Sequence, residues 1–104
     1  MLRDFAGATV PENDYDRLAY SCRFDHAFPA TFAEWQKLVQ EGTRLAHESG
    51  RQTTAIDVDV DEFIRWSAVA HIHPCLDAMR AFLIVKRFGL QAALGKISGS
   101  PPAN

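Results

Sequence analysis

The sequence predicts a small α+β domain in which a thin sheet packs on helices. Three observations lead to this class. Residues 56–61 alternate aliphatic and aspartate side chains, which is the period of a strand with one wet face. Residues 32–48 and 75–88 repeat apolar side chains at steps of three and four, which is the period of an amphipathic helix. A length of 104 residues is that of one domain.

The predicted order of elements is strand, helix, strand, helix, helix. The first strand is expected at residues 20–24, where three apolar side chains alternate with two polar ones. The second is expected at residues 53–59, and the order strand, helix, strand favours parallel pairing through a right-handed crossover. Two strands make a thin sheet, so a third strand is expected from residues 1–19 or from a second subunit. A mostly α fold is the alternative class.

The helix over residues 32–48 has clear boundaries. Thr31 and Glu34 form a capping-box pattern at its start, and Gly50 suits the left-handed position after its last turn. Gly42 lies in its interior, where glycine costs about 1 kcal/mol relative to alanine. We therefore expect Gly42 to permit close packing against another backbone.

Two further helices are predicted after the second strand. Asp59 can cap the first of them, with Glu62 reaching back in a second capping box. This helix should end before Pro74, because proline disfavours helical angles in the residue that precedes it. The last helix is expected over residues 75–88, with Gly89 as its C-cap.

The chain divides into three parts. Residues 1–19 are poorly patterned and predict a poorly ordered arm or one extra short element. Residues 20–94 form the single α+β domain. Residues 95–104 are rich in Gly, Ser and Pro and predict a disordered tail.

Composition and charge favour a cytoplasmic protein. The net charge of −2 gives no general attraction to nucleic acid or to anionic membranes. The apolar run at residues 81–85 is far shorter than the ~20 residues that span a bilayer, and the N-terminus does not resemble a signal peptide. Cys22 and Cys75 lack the CxxC spacing, so we expect two free thiols in a reducing compartment.

The charge is unevenly distributed along the chain. Residues 32–62 carry seven acidic and three basic side chains, whereas residues 63–104 carry one acidic and five basic. Packing of the two parts on each other as oppositely charged neighbours is the favoured explanation.

One segment has metal-ligating side chains at short spacing. His71-x-His73-x-Cys75 could bind zinc or iron, because imidazole and thiolate are good ligands for both. In an extended segment the three side chains would face the same way. The alternative is ordinary helix-terminus chemistry, in which the histidines flank two helices and Cys75 packs as a small apolar residue.

A second set of ligating side chains is Asp57-x-Asp59-x-Asp61 with Glu62. Carboxylates on one strand face could bind Mg²⁺ or Ca²⁺ through their oxygens. The spacing does not fit an EF-hand, and a solvated strand face followed by an N-cap explains the same pattern.

Catalytic motifs are missing from the sequence. It contains no P-loop, no GxGxxG and no GxSxG, and nothing near either cysteine marks an activated nucleophile. We expect a non-enzymatic protein with no catalytic residue and no cofactor, unless the His/Cys segment binds metal.

Binding to DNA as an accessory protein is a further alternative. Arg80, Lys86 and Arg87 lie on one predicted helix that follows another in a loose helix-turn-helix arrangement. The helix has more aliphatic and fewer polar residues than a recognition helix needs, so nucleic acid is not the favoured partner.

Self-association with another copy is the favoured function. The last helix is apolar on every side over residues 81–85, and a domain with two strands cannot easily cover all of it. We expect a protein-interaction module that forms a homodimer, the commonest closed assembly. The predicted contact residues are Met79, Phe82, Leu83 and Val85, and any other protein partner is unidentified.

Overall fold

The structure, a computed structural model, describes residues 2–51, 53 and 55–97 and confirms the α+β class. A two-stranded parallel sheet packs among four helices. In chain order the elements are a 3-10 helix at Leu2–Phe5, β1 at Ala8–Thr9, α1 at Glu12–Ser21, α2 at Phe32–Glu48, β2 at Ile56–Asp57, α3 at Val60–Val69 and α4 at Leu76–Ile97.

The first strand of the sheet comes from the N-terminal segment. β1 pairs with β2 in parallel, with Ala8 opposite Ile56 and Thr9 opposite Asp57. Residues 2–19 also hold the 3-10 helix and most of α1, so the segment that lacked a clear sequence pattern supplies three short elements.

The prediction of a strand at residues 20–24 is wrong. Residues 20 and 21 end α1, and residues 22–24 form a turn in which the Cys22 N–H donates to Leu18 O. The apolar side chains that matter are Tyr15, Leu18 and Cys22, which lie on one helix face and are buried. Tyr20 is exposed, so the alternation in residues 20–24 did not reflect a buried strand face.

Helix α2 is confirmed with both of its predicted ends. Thr31 Oγ1 accepts from the Glu34 N–H at 3.1 Å, and the Glu34 carboxylate accepts from the Thr31 N–H at 3.2 Å, which completes the capping box. Gly50 follows the helix with a φ of 77°, the left-handed conformation that glycine adopts without steric cost.

Gly42 lies against the N-terminal 3-10 helix, as its position in α2 predicted. A Cβ at this position would lie 2.2 Å from Leu2 O and 3.3 Å from Ala6 N, which are backbone atoms. The missing side chain therefore allows the 3-10 helix to pack directly on α2.

The change from strand to helix near residue 60 is also confirmed. Ile56, Val58 and Val60 are buried, and the intervening aspartates are exposed. Asp59 caps α3 by accepting from the Glu62 N–H at 3.1 Å. The second half of the predicted capping box is not formed in the described residues, because the Glu62 carboxylate accepts from Lys86 Nζ instead.

The end predicted for the last helix is wrong. Helix α4 continues through Gly89 to Ile97, and Gly89 does not have a positive φ. Glycine costs only about 1 kcal/mol inside a helix, which the neighbouring turns can offset. Of the predicted disordered tail, residues 95–97 belong to α4 and residues 98–104 lie outside the described part of the chain.

The core has two aromatic clusters. Under α1 and α2, the Trp35 ring lies near Phe5, Tyr15 and Phe28 at centroid distances of 6.0–6.2 Å. Between α3 and α4, Phe82 makes edge-to-face contacts with Phe63 and Trp66, each at 5.4 Å. The aliphatic side of β2 joins both clusters into one core.

Candidate functional site

Three of the four predicted contact residues lie inside the chain. Met79, Phe82 and Leu83 have exposed fractions of 0%, 2% and 0%, and they pack against the core. A partner could not reach them without unfolding α4. Only Val85, which is 54% exposed, lies on the surface. The sequence showed that α4 is apolar all round but not which side faces the core.

The opposite side of α4 carries a row of exposed apolar residues. Ile84 and Phe88 are 43% and 73% exposed, and they flank Val85. Ala81, one turn earlier, is half-buried. Positions 81, 84, 85 and 88 follow the helical spacing of three and four, so they share one face. We call these four residues the α4 face.

Arg80, Lys86 and Arg87 of α4 do not project freely beside this face. Lys86 Nζ lies 3.0 Å from a Glu62 carboxylate oxygen, and Arg80 Nη1 lies 3.5 Å from Asp4 Oδ2. Arg87 donates to Asp4 O at 3.2 Å and to Ala6 O at 2.8 Å. These contacts tie α4 to α3 and to the N-terminal segment.

Arg87 is half-buried against the N-terminal segment. Burial lowers the pKa of Arg87, nearby Asp4 raises it, and Arg51 lowers it again. An arginine remains charged in spite of such shifts. Its guanidinium therefore serves as a fixed double donor to the backbone of the 3-10 helix and of the residue that follows it. The three basic residues proposed for DNA contact are engaged within the chain.

The three predicted metal ligands lie in the connection between α3 and α4. His71 and His73 are exposed, and Cys75 Sγ accepts from the Ala78 N–H at 3.3 Å at the start of α4. Across residues 2–51, 53 and 55–97, no group of three or more His, Cys, Asp and Glu side chains is arranged to bind a metal ion.

His71 ends α3 in a strained conformation. Its φ is 58°, its N–H donates to Ala68 O, and the Ile72 N–H donates to Ser67 O. This pair of bonds is the Schellman motif, in which the left-handed position usually holds glycine. His71 thus has a structural role that the sequence pattern did not reveal.

A shallow depression of about 460 Å³ lies along the end of α3 and the segment that follows it. His71, His73 and Ser67 line it. Ser67 is fully buried, and its hydroxyl has no hydrogen-bond partner among the described residues. A buried hydroxyl without a partner costs stability.

The aspartates of the β2 segment are each bound to a neighbour. Asp57 accepts from Thr9 Oγ1 at 2.8 Å, and Asp59 caps α3. Asp61 pairs with Arg17, whose pKa is raised by its hydrogen bonds to Asp61 and Asp14. Asp57, Asp59 and Asp61 border a surface depression of about 570 Å³. The contacts named above account for the positions of their carboxylates without a bound cation.

The two cysteines are free and differ in environment. Cys22 is buried, and burial raises its pKa to about 12, with smaller contributions from Cys75 and Asp25. It stays protonated at neutral pH and is a poor nucleophile. Cys75 is half-buried at the start of α4, where Asp25 Oδ2 accepts from the Leu76 N–H at 2.7 Å.

A groove between β1 and α2 is the feature that sequence reasoning missed. Its volume is about 190 Å³, and Phe32, Trp35 and Val39 of α2 form its apolar lining. β1 forms the other wall. A two-residue strand leaves no period in a sequence. The only indication of the groove in the sequence was the spread of apolar positions on α2. They cover a wider side of the helix than packing against one neighbouring element requires.

Comparison with known proteins does not assign this chain to a family. No protein-family model, curated protein or solved structure matches it. None of the helices in the described residues is long and apolar enough to cross a membrane.

Proposed function

We propose that this chain is a non-enzymatic protein-interaction module that forms a homodimer, and that the α4 face is the contact surface. The observation that carries the proposal is the exposure of Ile84, Val85 and Phe88 on one side of one helix. Contiguous exposed apolar residues mark interaction sites more often than single ones do.

The surroundings of the α4 face support a protein partner. Arg80, Lys86 and Arg87 are held by contacts within the chain, so association would not leave these three charges unpaired. Desolvating an unpaired charge is a main cost of forming an interface. An interface between identical copies also needs a surface that can contact itself, and a helix face with small and large apolar residues meets this need.

The size of the α4 face predicts a reversible dimer. Full burial of a side chain such as Ile, Val or Phe contributes roughly 1.5–3 kcal/mol, and these three are about half exposed. Two copies would therefore gain roughly 4–9 kcal/mol, against an association cost of about 4–15 kcal/mol. We expect dissociation on dilution.

Sedimentation velocity over a concentration series tests the proposal. The wild-type chain should shift from monomer to dimer as its concentration rises. Val85→Lys should remain monomeric, because a charge replaces an apolar contact. Val69→Lys is the matched control, since Val69 is also an exposed helical valine but lies on α3.

Two results would contradict the proposal. One is a wild-type chain that stays monomeric at its highest attainable concentration. The other is a Val85→Lys variant that dimerises as well as Val69→Lys. Circular dichroism of both variants should match wild type, because both positions are exposed.

A further inference from the structure

The two free cysteines lie at one junction between α1 and α4. Cys22 is the C-cap of α1, and Cys75 directly precedes α4. Asp25 connects the two positions, because its N–H donates to Cys22 O at 3.0 Å and its Oδ2 accepts from the Leu76 N–H at 2.7 Å. The turn that begins at Cys22 is therefore bonded directly to the residue next to Cys75.

Both cysteine side chains contact the same core. Cys22 is 1% exposed within it, and half-buried Cys75 packs against it. Burial raises the pKa of Cys22, and the next largest cause is the charge of an ionised Cys75. Coulomb interactions weaken with distance, so this effect agrees with the bonds of Asp25 in placing the two thiols close together. Only folding brings them together, because they are far apart in the sequence.

The two thiols differ in their access to small molecules. Cys22 is enclosed, whereas Cys75 is partly open to solvent. The Ala78 N–H donates to Cys75 Sγ at 3.3 Å, which holds this sulfur at the start of α4. A dissolved oxidant therefore reaches Cys75 first, and Cys22 can react only with a neighbouring side chain. This is the division between an attacking and a resolving cysteine.

We propose that Cys22 and Cys75 are a thiol-modification site that closes to an intramolecular disulfide, with a small dissolved disulfide such as oxidised glutathione as the oxidant. The Cys75 thiolate attacks one sulfur of oxidised glutathione, which forms a mixed disulfide and releases one glutathione thiolate. Cys22 then loses its proton and attacks the Cys75 sulfur, which releases the second glutathione thiolate.

The reaction is balanced without any further reagent. Two electrons pass from the cysteine pair to oxidised glutathione, and the two protons lost by the cysteines end on the two glutathione molecules released. The product joins the end of α1 to the start of α4. This site lies apart from the α4 face, and its chemistry does not depend on the proposed dimer.

Incubation of the folded chain in a series of oxidised-to-reduced glutathione ratios tests the proposal. Intact-mass spectrometry should show a wild-type monomer that has lost two hydrogen atoms, and its digest should contain one cross-linked peptide pair that holds Cys22 and Cys75. The melting temperature should rise, because the cross-link restricts the unfolded chain. The equilibrium constant for closure should be at least about tenfold smaller in urea, because the disulfide and the fold stabilise each other.

A pair of single substitutions separates the two steps. Cys22→Ala should stop at the mixed disulfide and gain the mass of one glutathione at Cys75. Cys75→Ala should remain unmodified under folding conditions, because glutathione does not reach the enclosed Cys22. The cross-linked peptide pair is measured in wild type, so it does not depend on how well either variant folds.

Four results would overturn the inference. They are a wild-type chain that stays reduced at every glutathione ratio, a wild-type glutathione adduct that does not close, a covalent dimer linked through Cys75, and closure that is as favourable in urea as in the folded chain. Each would show that the fold does not hold Cys22 and Cys75 within bonding reach of each other.

Discussion

Replacement of Gly42 by alanine should destabilise the protein, although it improves the helix. The added Cβ would lie 2.2 Å from Leu2 O, 3.1 Å from Leu2 C and 3.3 Å from Ala6 N. These are backbone atoms and cannot rotate away. The 3-10 helix would have to move off α2, and this would loosen Phe5, which packs edge-to-face on Trp35.

The expected magnitude follows from two opposing effects. Alanine gains about 1 kcal/mol over glycine in a helix interior. Overpacking a tight contact costs about 1–3 kcal/mol, and displacement of a backbone segment is at the upper end of that range. We expect Gly42→Ala to lower the free energy of unfolding by about 1–2 kcal/mol.

Gly89→Ala is the matched control for this prediction. Gly89 is also inside a helix, but a Cβ there would meet no described atom within 4 Å outside the neighbouring backbone of its own helix. Only the helix-propensity term then applies, and the variant should be more stable by about 1 kcal/mol. The two substitutions should therefore change stability in opposite directions.

Urea unfolding followed by tryptophan fluorescence measures both effects. The variants should be compared in a Val85→Lys background, so that association does not contribute to stability. A Gly42→Ala variant as stable as Gly89→Ala would refute the close contact between the 3-10 helix and α2. A drop in stability for both would instead refute the helical assignment at Gly89.

Three further predictions concern single side chains. His71→Gly should raise the free energy of unfolding by about 0.5–1 kcal/mol in urea titrations, because glycine relieves the left-handed conformation, whereas His73→Gly should not raise it. Ser67→Ala should stabilise by about 1 kcal/mol, because it removes a buried hydroxyl without a partner; a loss of that size would show that the hydroxyl is bonded. Burial raises the pKa of Cys22 in the folded state. The stability that this contributes is present in full below the unfolded-state pKa of 9.0 and is lost as the pH rises toward about 12. Between pH 9 and 10 the free energy of unfolding should fall by about 1 kcal/mol more in wild type than in Cys22→Ala. At higher pH Tyr15, whose pKa is also raised by burial, adds a loss of the same sign. Equal pH slopes for the two proteins would contradict a raised pKa at Cys22.

Sequence periodicity was sufficient where a pattern was long or was bounded by specific side chains. Helix α2 has 17 residues, so its apolar spacing is repeated several times, and Thr31 and Glu34 fix its start through two hydrogen bonds. The alternation across residues 56–61 was equally clear, because each aspartate would have been costly to bury. Gly42 was interpreted correctly because a glycine in a helix interior requires a compensating contact.

The elements that the sequence misassigned are short or ambiguous. Residues 20–24 fit the period of a strand, but the same five residues also fit the end of α1 and the turn that follows it. β1 has two residues and owes its existence to pairing with β2 rather than to its own propensity. Gly89 could end a helix or lie within one, and only the continuation of α4 distinguishes the two.

The candidate interaction surface shows the same division. The sequence by itself determined that α4 is an apolar helix with more apolar surface than a small core requires. Only the tertiary structure decided that Phe82 and Leu83 face the core and that Val85 and Phe88 face solvent. The reason is that a helix with apolar residues on every side has no preferred face of its own. Its orientation is set by Arg87 bonding to the backbone near β1 and by Lys86 pairing with Glu62, and these contacts join parts of the chain that are distant in sequence.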